Sequence, residues 1–190
     1  MKAFASQVAQ WCGGYLVGAD GLLVGVSQDS RHLLPGSLFV ALRGEQVDGH
    51  DYVAGLVDRA GAVLVERPLP VAIPQIVVPD VLVALQALAH AWLATLDLKL
   101  VALTGSNGKT SSKSLCAAIL SRVARTHATP GNYNNEIGVP LTVLGLGADH
   151  RFAVVEMGCG KPGDIDELTA IAAPHAAVIT NIAPAHLQRL

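Results

Sequence analysis

The residues best equipped for chemistry are Thr104-Gly105-Ser106-Asn107-Gly108-Lys109-Thr110, lying between an apolar strand and a helical pattern. Glycines at this junction let backbone N–H groups turn inward, and a helix N-terminus adds the positive end of its dipole. A lysine after the second glycine can reach terminal phosphates, and the next hydroxyl can ligate Mg²⁺. The seven residues thus read as a phosphate cradle. The spacing is Gly105-x-x-Gly108-Lys109-Thr110, shorter than the usual phosphate loop, whose first glycine position is filled here by Leu103. Ser111 continues the first turn of the helix.

The elements that must position this loop follow from periodicity. Strands are predicted over Leu100–Thr104, Arg151–Glu156 and Ala176–Asn181. Helices lie between them: one has Leu115, Ala118, Ile119 and Val123 on a single face, and another spans Asp164–Ala173 with acidic residues in its first turn. Apolar strands joined by helices imply a parallel sheet, whose ligands bind outside the carboxyl ends of the strands. That edge gathers Lys109, Thr110, Glu156, Asn181 and His186. Glu156 there suits a magnesium or water-orienting role. Asn134 and Asn135 sit in a turn-rich Pro-Gly-Asn-Tyr-Asn-Asn-Glu segment, a composition compatible with binding.

Before about Pro79 the pattern changes. A helix over Ala3–Cys12 closes at Gly13-Gly14, extended segments follow near Leu22–Val26, Ser37–Leu42, Ala62–Glu66 and Ile73–Val78, and a short helix lies around Tyr52–Ala60. Pro68, Pro70, Pro74 and Pro79 punctuate the exit, which divides the chain into residues 1–80 and 81–190. Both blocks read as α/β. The apolar stretch Val81–Leu96 contains Gln86 and His90 and is too short for a membrane span, so it is expected to be a buried helix.

Composition narrows the function classes. A net charge of −2 gives no broad attraction to nucleic acid. Three cysteines without metal-ligand spacing point to a reducing compartment rather than a disulfide framework or zinc site. Gly158-Cys159-Gly160-Lys161-Pro162-Gly163 matches a dinucleotide-binding glycine pattern, but the acidic residue expected about 20 positions on is missing and Glu156 would repel a pyrophosphate. The Asn-Lys-x-Asp base-reading motif of a GTPase is absent.

TGSNGKT, TPGNYNNEIGVPLTVL, VVEMG, GDI and TNIAPAHL together resemble the Mur ligases of peptidoglycan synthesis, and DSRHLLPGSLFVALRGEQVDGHDYV is similar to their UDP-sugar-binding domain. The resemblance runs from about Ser27 to Leu187. It implies a small N-terminal UDP-sugar-binding domain followed by the first half of a mainly parallel-sheet, phosphate-loop ATPase domain. It also implies a cytoplasmic, monomeric, ATP- and Mg²⁺-dependent amide ligase that joins D-Ala-D-Ala to UDP-MurNAc-tripeptide through an acyl phosphate. Such an enzyme serves cell-wall growth, cell shape and division. Carried over to this sequence, Lys109, Glu156 and His186 are catalytic. Gly105, Ser106, Asn107, Gly108, Lys109, Thr110, Ser111, Asn134 and Asn135 hold the nucleotide. Thr110, Glu156 and His186 hold metal, and Ser30, Arg31, Asp48 and His50 belong to the UDP-sugar motifs. Family members continue with a carbamylated lysine and a closing C-terminal domain, so residues 1–190 alone are expected not to ligate. A tripeptide-forming member, a related phosphate-loop amide ligase and a non-catalytic UDP-sugar- or nucleotide-binding module remain open. The GCGK stretch after Glu156-Met157-Gly158 departs from the family's usual pattern.

Overall fold

The structure, a computed structural model, describes residues 1–183. It contains two compact units, one over Met1–Leu88 and the other from Ala89 onward. The division falls inside a continuous helix rather than at the proline-rich exit near residue 80.

In the first unit, β1 (Ala3–Phe4) leads into α1 (Ala5–Trp11), followed by β2 (Tyr15–Val17), β3 (Leu22–Leu23), β4 (Val26–Ser27), β5 (Ser37–Val40), β6 (Ala60–Val65) and β7 (Gln75–Val77). β1 and β3 form an antiparallel ribbon, and the main sheet has the order β2-β7-β6-β5-β4, antiparallel only at β2. The central strands β5 and β6 are apolar because both faces are covered. On one face Phe39, Val63 and Val65 join Val53 and Leu56 in a buried core. Val53 and Leu56 come from a 3₁₀ segment, Gly49–Leu56, where a short helix around Tyr52–Ala60 was expected. Its glycines at both ends and the Asp48 cap favour short turns over an α-helix. The expected Leu22–Val26 strand is two pieces, β3 and β4, split at Val24-Gly25. Cys12 is buried, which pushes its thiol up to about 12 and leaves it inert at neutral pH.

The helix between the blocks is α2 (Val81–Ala94), started by Asp80, whose Oδ1 accepts from the Val83 amide at 2.9 Å. Val81, Leu85, Leu88 and Trp92 are buried, as expected for this segment. The second unit continues with β8 (Lys99–Thr104), α3 (Lys109–Leu120), β9 (Thr126–Ala128), α4 (Gly138–Leu144), β10 (Phe152–Glu156), α5 (Asp164–Ala172) and β11 (Ala176–Ile179). Its sheet is wholly parallel in the order β11-β8-β10-β9. The three strands expected from the sequence are present; β9 is an addition, too short to show a period. The connection from β8 runs one way along the sheet and the one from β10 runs back. Right-handed crossovers therefore set α3 on the face opposite α4 and α5, and α4 packs against α5. Among the described residues no helix is long and apolar enough to cross a membrane.

The apolar stripe of α3 is exposed. Leu115, Ile119 and Val123 are 66%, 67% and 74% exposed, while Lys113 is the buried residue of the helix. β11 is exposed along its length and stands at the sheet edge. Apolar stripes and open edges recruit partners. The 190-residue chain is therefore expected to self-associate, and Ile119→Lys to raise its monomer fraction while leaving the melting temperature nearly unchanged. Sedimentation velocity is the check; equal association of both chains clears α3 of this role.

Candidate functional site

Adjacent strands β8 and β10 send their helices in opposite directions, so the crevice at their carboxyl ends is the topological switch point of this sheet. A cleft of about 290 Å³ opens there, lined by Lys109, Asn134, Asn135, Gly158, Cys159 and Leu168 among others.

The loop after β8 has the shape its glycines permit. Gly105 and Gly108 have φ of +134° and +80°, values that L side chains rarely adopt. A Cβ on Gly105 would also collide with the Thr180 hydroxyl and the Asn181 backbone. Gly108 caps α3, leaving the first-turn N–H groups of residues 108–111 without helical partners. Earlier in the loop the amides are already used: Ser106 donates to the Asn181 carbonyl at 3.0 Å and Asn107 to Asn181 Oδ1 at 2.8 Å. The amides at the start of α3, Gly108 through Ser111, are thus the ones open to an anion, while those of Ser106 and Asn107 brace the loop. Lys109 folds back over it, its Nζ donating to the Gly105 carbonyl at 2.5 Å.

Glu156 ends β10 only 2% exposed. Its Oε2 accepts from the Thr110 hydroxyl at 3.1 Å and lies 3.3 Å from Lys113 Nζ. Its Oε1 accepts from the Asn134 amide at 2.9 Å, and its backbone N–H donates to Thr129 Oγ1 at 2.9 Å. Lys113 also donates to the Gly131 carbonyl at 2.8 Å. Lys109, Thr110, Asn134 and Glu156 therefore meet at one edge. Lys113, a fifth member, escaped the sequence reading. Its position one helical turn beyond Lys109 puts it on the same face, but that spacing alone does not mark it as buried. Asn135 caps α4, its Oδ1 accepting from the Gly138 amide at 2.9 Å. Ser111 is exposed on the first turn of α3. His186 lies outside the described residues.

A carboxylate and a hydroxyl are hard oxygen donors, the kind that suits Mg²⁺, while Asn134 turns its N–H rather than its oxygen to Glu156. Among the described residues no group of three or more His, Cys, Asp or Glu could hold a metal. A cation at Thr110 and Glu156 would therefore need ligands from elsewhere, and the oxygens of a bound phosphate fit that need.

The loop Gly158–Gly163 does not form a second cradle. Asp164 Oδ2 accepts from the amides of Gly160 at 2.7 Å and Lys161 at 2.9 Å. The chain's own carboxylate occupies the place a pyrophosphate would take.

In the first unit the predicted residues lie on turns after β4 and β5, neighbouring parallel strands, and so at one edge of that sheet. Ser30 is half-buried in the 3₁₀ turn Ser30–His32. Asp29 takes Arg31 in a two-pronged grip, Nε to Oδ1 and Nη2 to Oδ2, both 2.9 Å. Those bonds, with one from His32, hold Asp29 well below the usual carboxylate range. Asp48 Oδ1 lies 2.6 Å from His50 Nδ1, and His50 Nε2 accepts from the Glu66 amide at 3.0 Å. Nε2 is therefore the unprotonated nitrogen and Nδ1 carries the hydrogen. Both ring nitrogens of His50 are engaged within the unit, so the ring braces the edge rather than offering a free contact.

The Mur ligase middle domain matches residues 103–190, and the domain described as "Mur ligase family, catalytic domain" matches residues 23–92. The chain is 45% identical, over 96% of its length, to the UDP-N-acetylmuramoyl-tripeptide–D-alanyl-D-alanine ligase of Escherichia coli K12. It is similar in structure to MurF of Acinetobacter baumannii, with a TM-score of 0.93 and 40% identity over 98% of the chain. A MurF ligase of Thermotoga maritima solved with ADP matches at a TM-score of 0.77 and 34% identity over 86% of the chain. The chain belongs to the Mur ligase family. It spans 41%, 42% and 38% of the lengths of these three relatives.

The Asp164 contacts are testable by pH. The hydrogen bond donated by the Gly160 N–H, followed by that from the Lys161 N–H, lowers the Asp164 carboxyl below its ordinary value. A carboxyl depressed on folding contributes stability above its unfolded pKa, about 3.9, and loses it as pH falls through the lower folded value. Hydrogen exchange at the Gly160 and Lys161 amides is therefore expected to stay slow through pH 4 and quicken only in stronger acid. Asp164→Ala should speed it at every pH; unchanged protection in that variant would remove Asp164 as the loop's anchor.

Proposed function

We propose that this chain carries the nucleotide-binding and UDP-sugar-binding parts of an ATP-dependent amide ligase. The ligase joins D-Ala-D-Ala to UDP-MurNAc-tripeptide through an acyl phosphate, in the cytoplasmic stage of peptidoglycan precursor synthesis. The observation that carries this reading is the meeting of Lys109, Thr110 and Glu156 at the switch-point crevice, in a chain whose relatives bear that ligase's name. Residues 1–80 are assigned the UDP-sugar and 81–190 the nucleotide.

The division of labour follows from charge and position. Transfer of a phosphoryl group to a carboxylate brings two anions together, so the site must supply positive charge where they meet. Lys109 supplies one such charge; freed from the Gly105 and Ser106 carbonyls, its ammonium can swing to a terminal phosphate without moving the backbone. The amides of Gly108 through Ser111 hold phosphate oxygens at the N-terminus of α3. Thr110 and Glu156 hold Mg²⁺, which when bound offsets charge on the transferred group. Asn134 fixes the Glu156 carboxylate from its other side, and Asn135 keeps the Asn134 loop in place by capping α4. His186 is assigned to the second metal by family resemblance. In the first unit, Ser30 and the 81%-exposed Arg31 side chain face the UDP-sugar, with Asp48 and His50 shaping the neighbouring turn.

Calorimetry with ATP and with UDP-MurNAc-tripeptide, each titrated separately into the 190-residue chain, tests the assignment. Lys109→Ala is expected to weaken ATP binding and leave UDP-sugar binding intact, because the two sites lie in different units. In a ligase of the relatives' full length the same change should cost on the order of 10³ in rate; near-normal turnover would sink the ATP-site reading.

Glu156→Gln keeps the size of the side chain and removes the charge that holds a hard cation. It is expected to raise the Mg²⁺ concentration needed for nucleotide binding while leaving UDP-sugar affinity unchanged. An identical magnesium titration in wild type and variant would take Glu156 off the metal.

A further inference from the structure

The crevice contains an ion pair that the proposed chemistry does not use. Lys113 is 5% exposed, and its Nζ lies 3.3 Å from Glu156 Oε2. The placement of Glu156 does not depend on it. Thr129 holds its backbone, Asn134 holds Oε1, and the Thr110 hydroxyl holds Oε2. All three partners are neutral, and they come from three different segments. What Lys113 alone adds is charge: the ion pairs of the described residues give Glu156 no other cation. The atom it faces is also telling. Oε2 is the oxygen shared with Thr110, the one on which a cation bridging Thr110 and Glu156 would sit.

A buried carboxylate needs a countercharge, and a divalent cation would serve as well as an ammonium. The two cannot serve together cheaply, since an ammonium this close to Oε2 repels a dication placed on it in a poorly solvated site. A polyphosphate changes the balance, because its negative charge offsets both cations. We propose that Lys113 is the resident counter-ion of Glu156 and keeps free divalent cations off that carboxylate until a nucleotide phosphate arrives. The metal then enters with the nucleotide rather than before it. This inference rests on the reading of Thr110 and Glu156 as the metal pair.

The test is titration of the 190-residue chain with Mn²⁺ alone, without nucleotide, following free Mn²⁺ by electron paramagnetic resonance. Wild type should bind Mn²⁺ weakly at Glu156. Lys113→Met and Lys113→Gln should each tighten that binding at least about tenfold. Lys113→Arg, which keeps the charge, should remain near wild type. Adding Glu156→Gln to either neutral variant should erase the gain. A residue needed only for architecture would give a loss in the neutral variants, not a gain. Equal or weaker Mn²⁺ binding by a folded neutral variant overturns the proposal. So does a result on wild type alone: Mn²⁺ bound as tightly without ADP as with it, through a site that Glu156→Gln abolishes. Failure of the underlying reading looks different. In that case Mn²⁺ with ADP does not bind wild type, or binds equally well after Glu156→Gln.

Discussion

The second unit depends on keeping one carboxylate out of water. Glu156 is buried at the end of a central strand, where an ionised carboxyl persists only with close partners. Those partners arrive from the first turn of α3, from its second turn, from the loop before α4 and from the end of β9. Each bond is modest alone. Together they make the relative position of phosphate loop, asparagine loop and β10 a condition for satisfying a buried charge. Sliding any one segment would leave that charge or a donor unpaired, at a cost that exceeds what the surface loops can offset. The crevice is therefore built before any ligand enters it, as a site that must place reacting groups accurately requires.

Topology supplies the other half of that constraint. A parallel sheet delivers all its carboxyl ends to one edge, and the change of direction between β8 and β10 opens a gap there. Asn181, following the edge strand β11, closes the far side of the phosphate loop by accepting from Ser106 and Asn107. Residues over 70 positions apart thus set the loop's shape, and Gly105 is required because a side chain there would meet that returning segment.

How much of this was legible in the sequence varied with the range of the interaction. The turn from β8 into α3 was readable because its requirements are local: glycines where φ is positive, then lysine and threonine at the start of a helix. Glu156 was readable as a polar residue ending an apolar strand. Lys113 was not, since a lysine in a helix normally marks the solvated face, and only the packed structure reveals that α3 turns this face inward. For the same reason the Leu115, Ile119 and Val123 stripe was legible as one face but not as an exposed one. Periodicity locates a stripe but does not say which neighbour covers it. β9, three residues with a histidine at its centre, carries no period at all. His50 was legible as a motif residue, yet its engagement at both nitrogens depends on Glu66, which no local pattern links to it.

The acidic residues at the two sheet edges divide by what they spend their charge on. Asp29 grips Arg31, Asp48 grips His50, and Asp164 grips the amides of Gly160 and Lys161. Asp29 and Asp48 also accept from the backbone N–H two residues later, and Asp164 from N–H groups three and four residues earlier, which stiffens turns that would otherwise be free to open. Asp164 shows the consequence most clearly. Its loop has the glycine spacing of a dinucleotide site and stands beside a helix N-terminus, but the amides that would receive a phosphate already receive a carboxylate. An incoming pyrophosphate would have to displace an anion tethered a few residues away, against the advantage of its high local concentration. The phosphate loop after β8 differs in that respect. No acid lies in its sequence from Thr104 to Ser114, so the positive end of α3 is left for a ligand, and the carboxylate of Glu156 is turned inward beside Lys113. Of two glycine-rich loops on one edge, the loop whose amides at the helix start are not filled by the chain's own acid is the one fitted to bind phosphate.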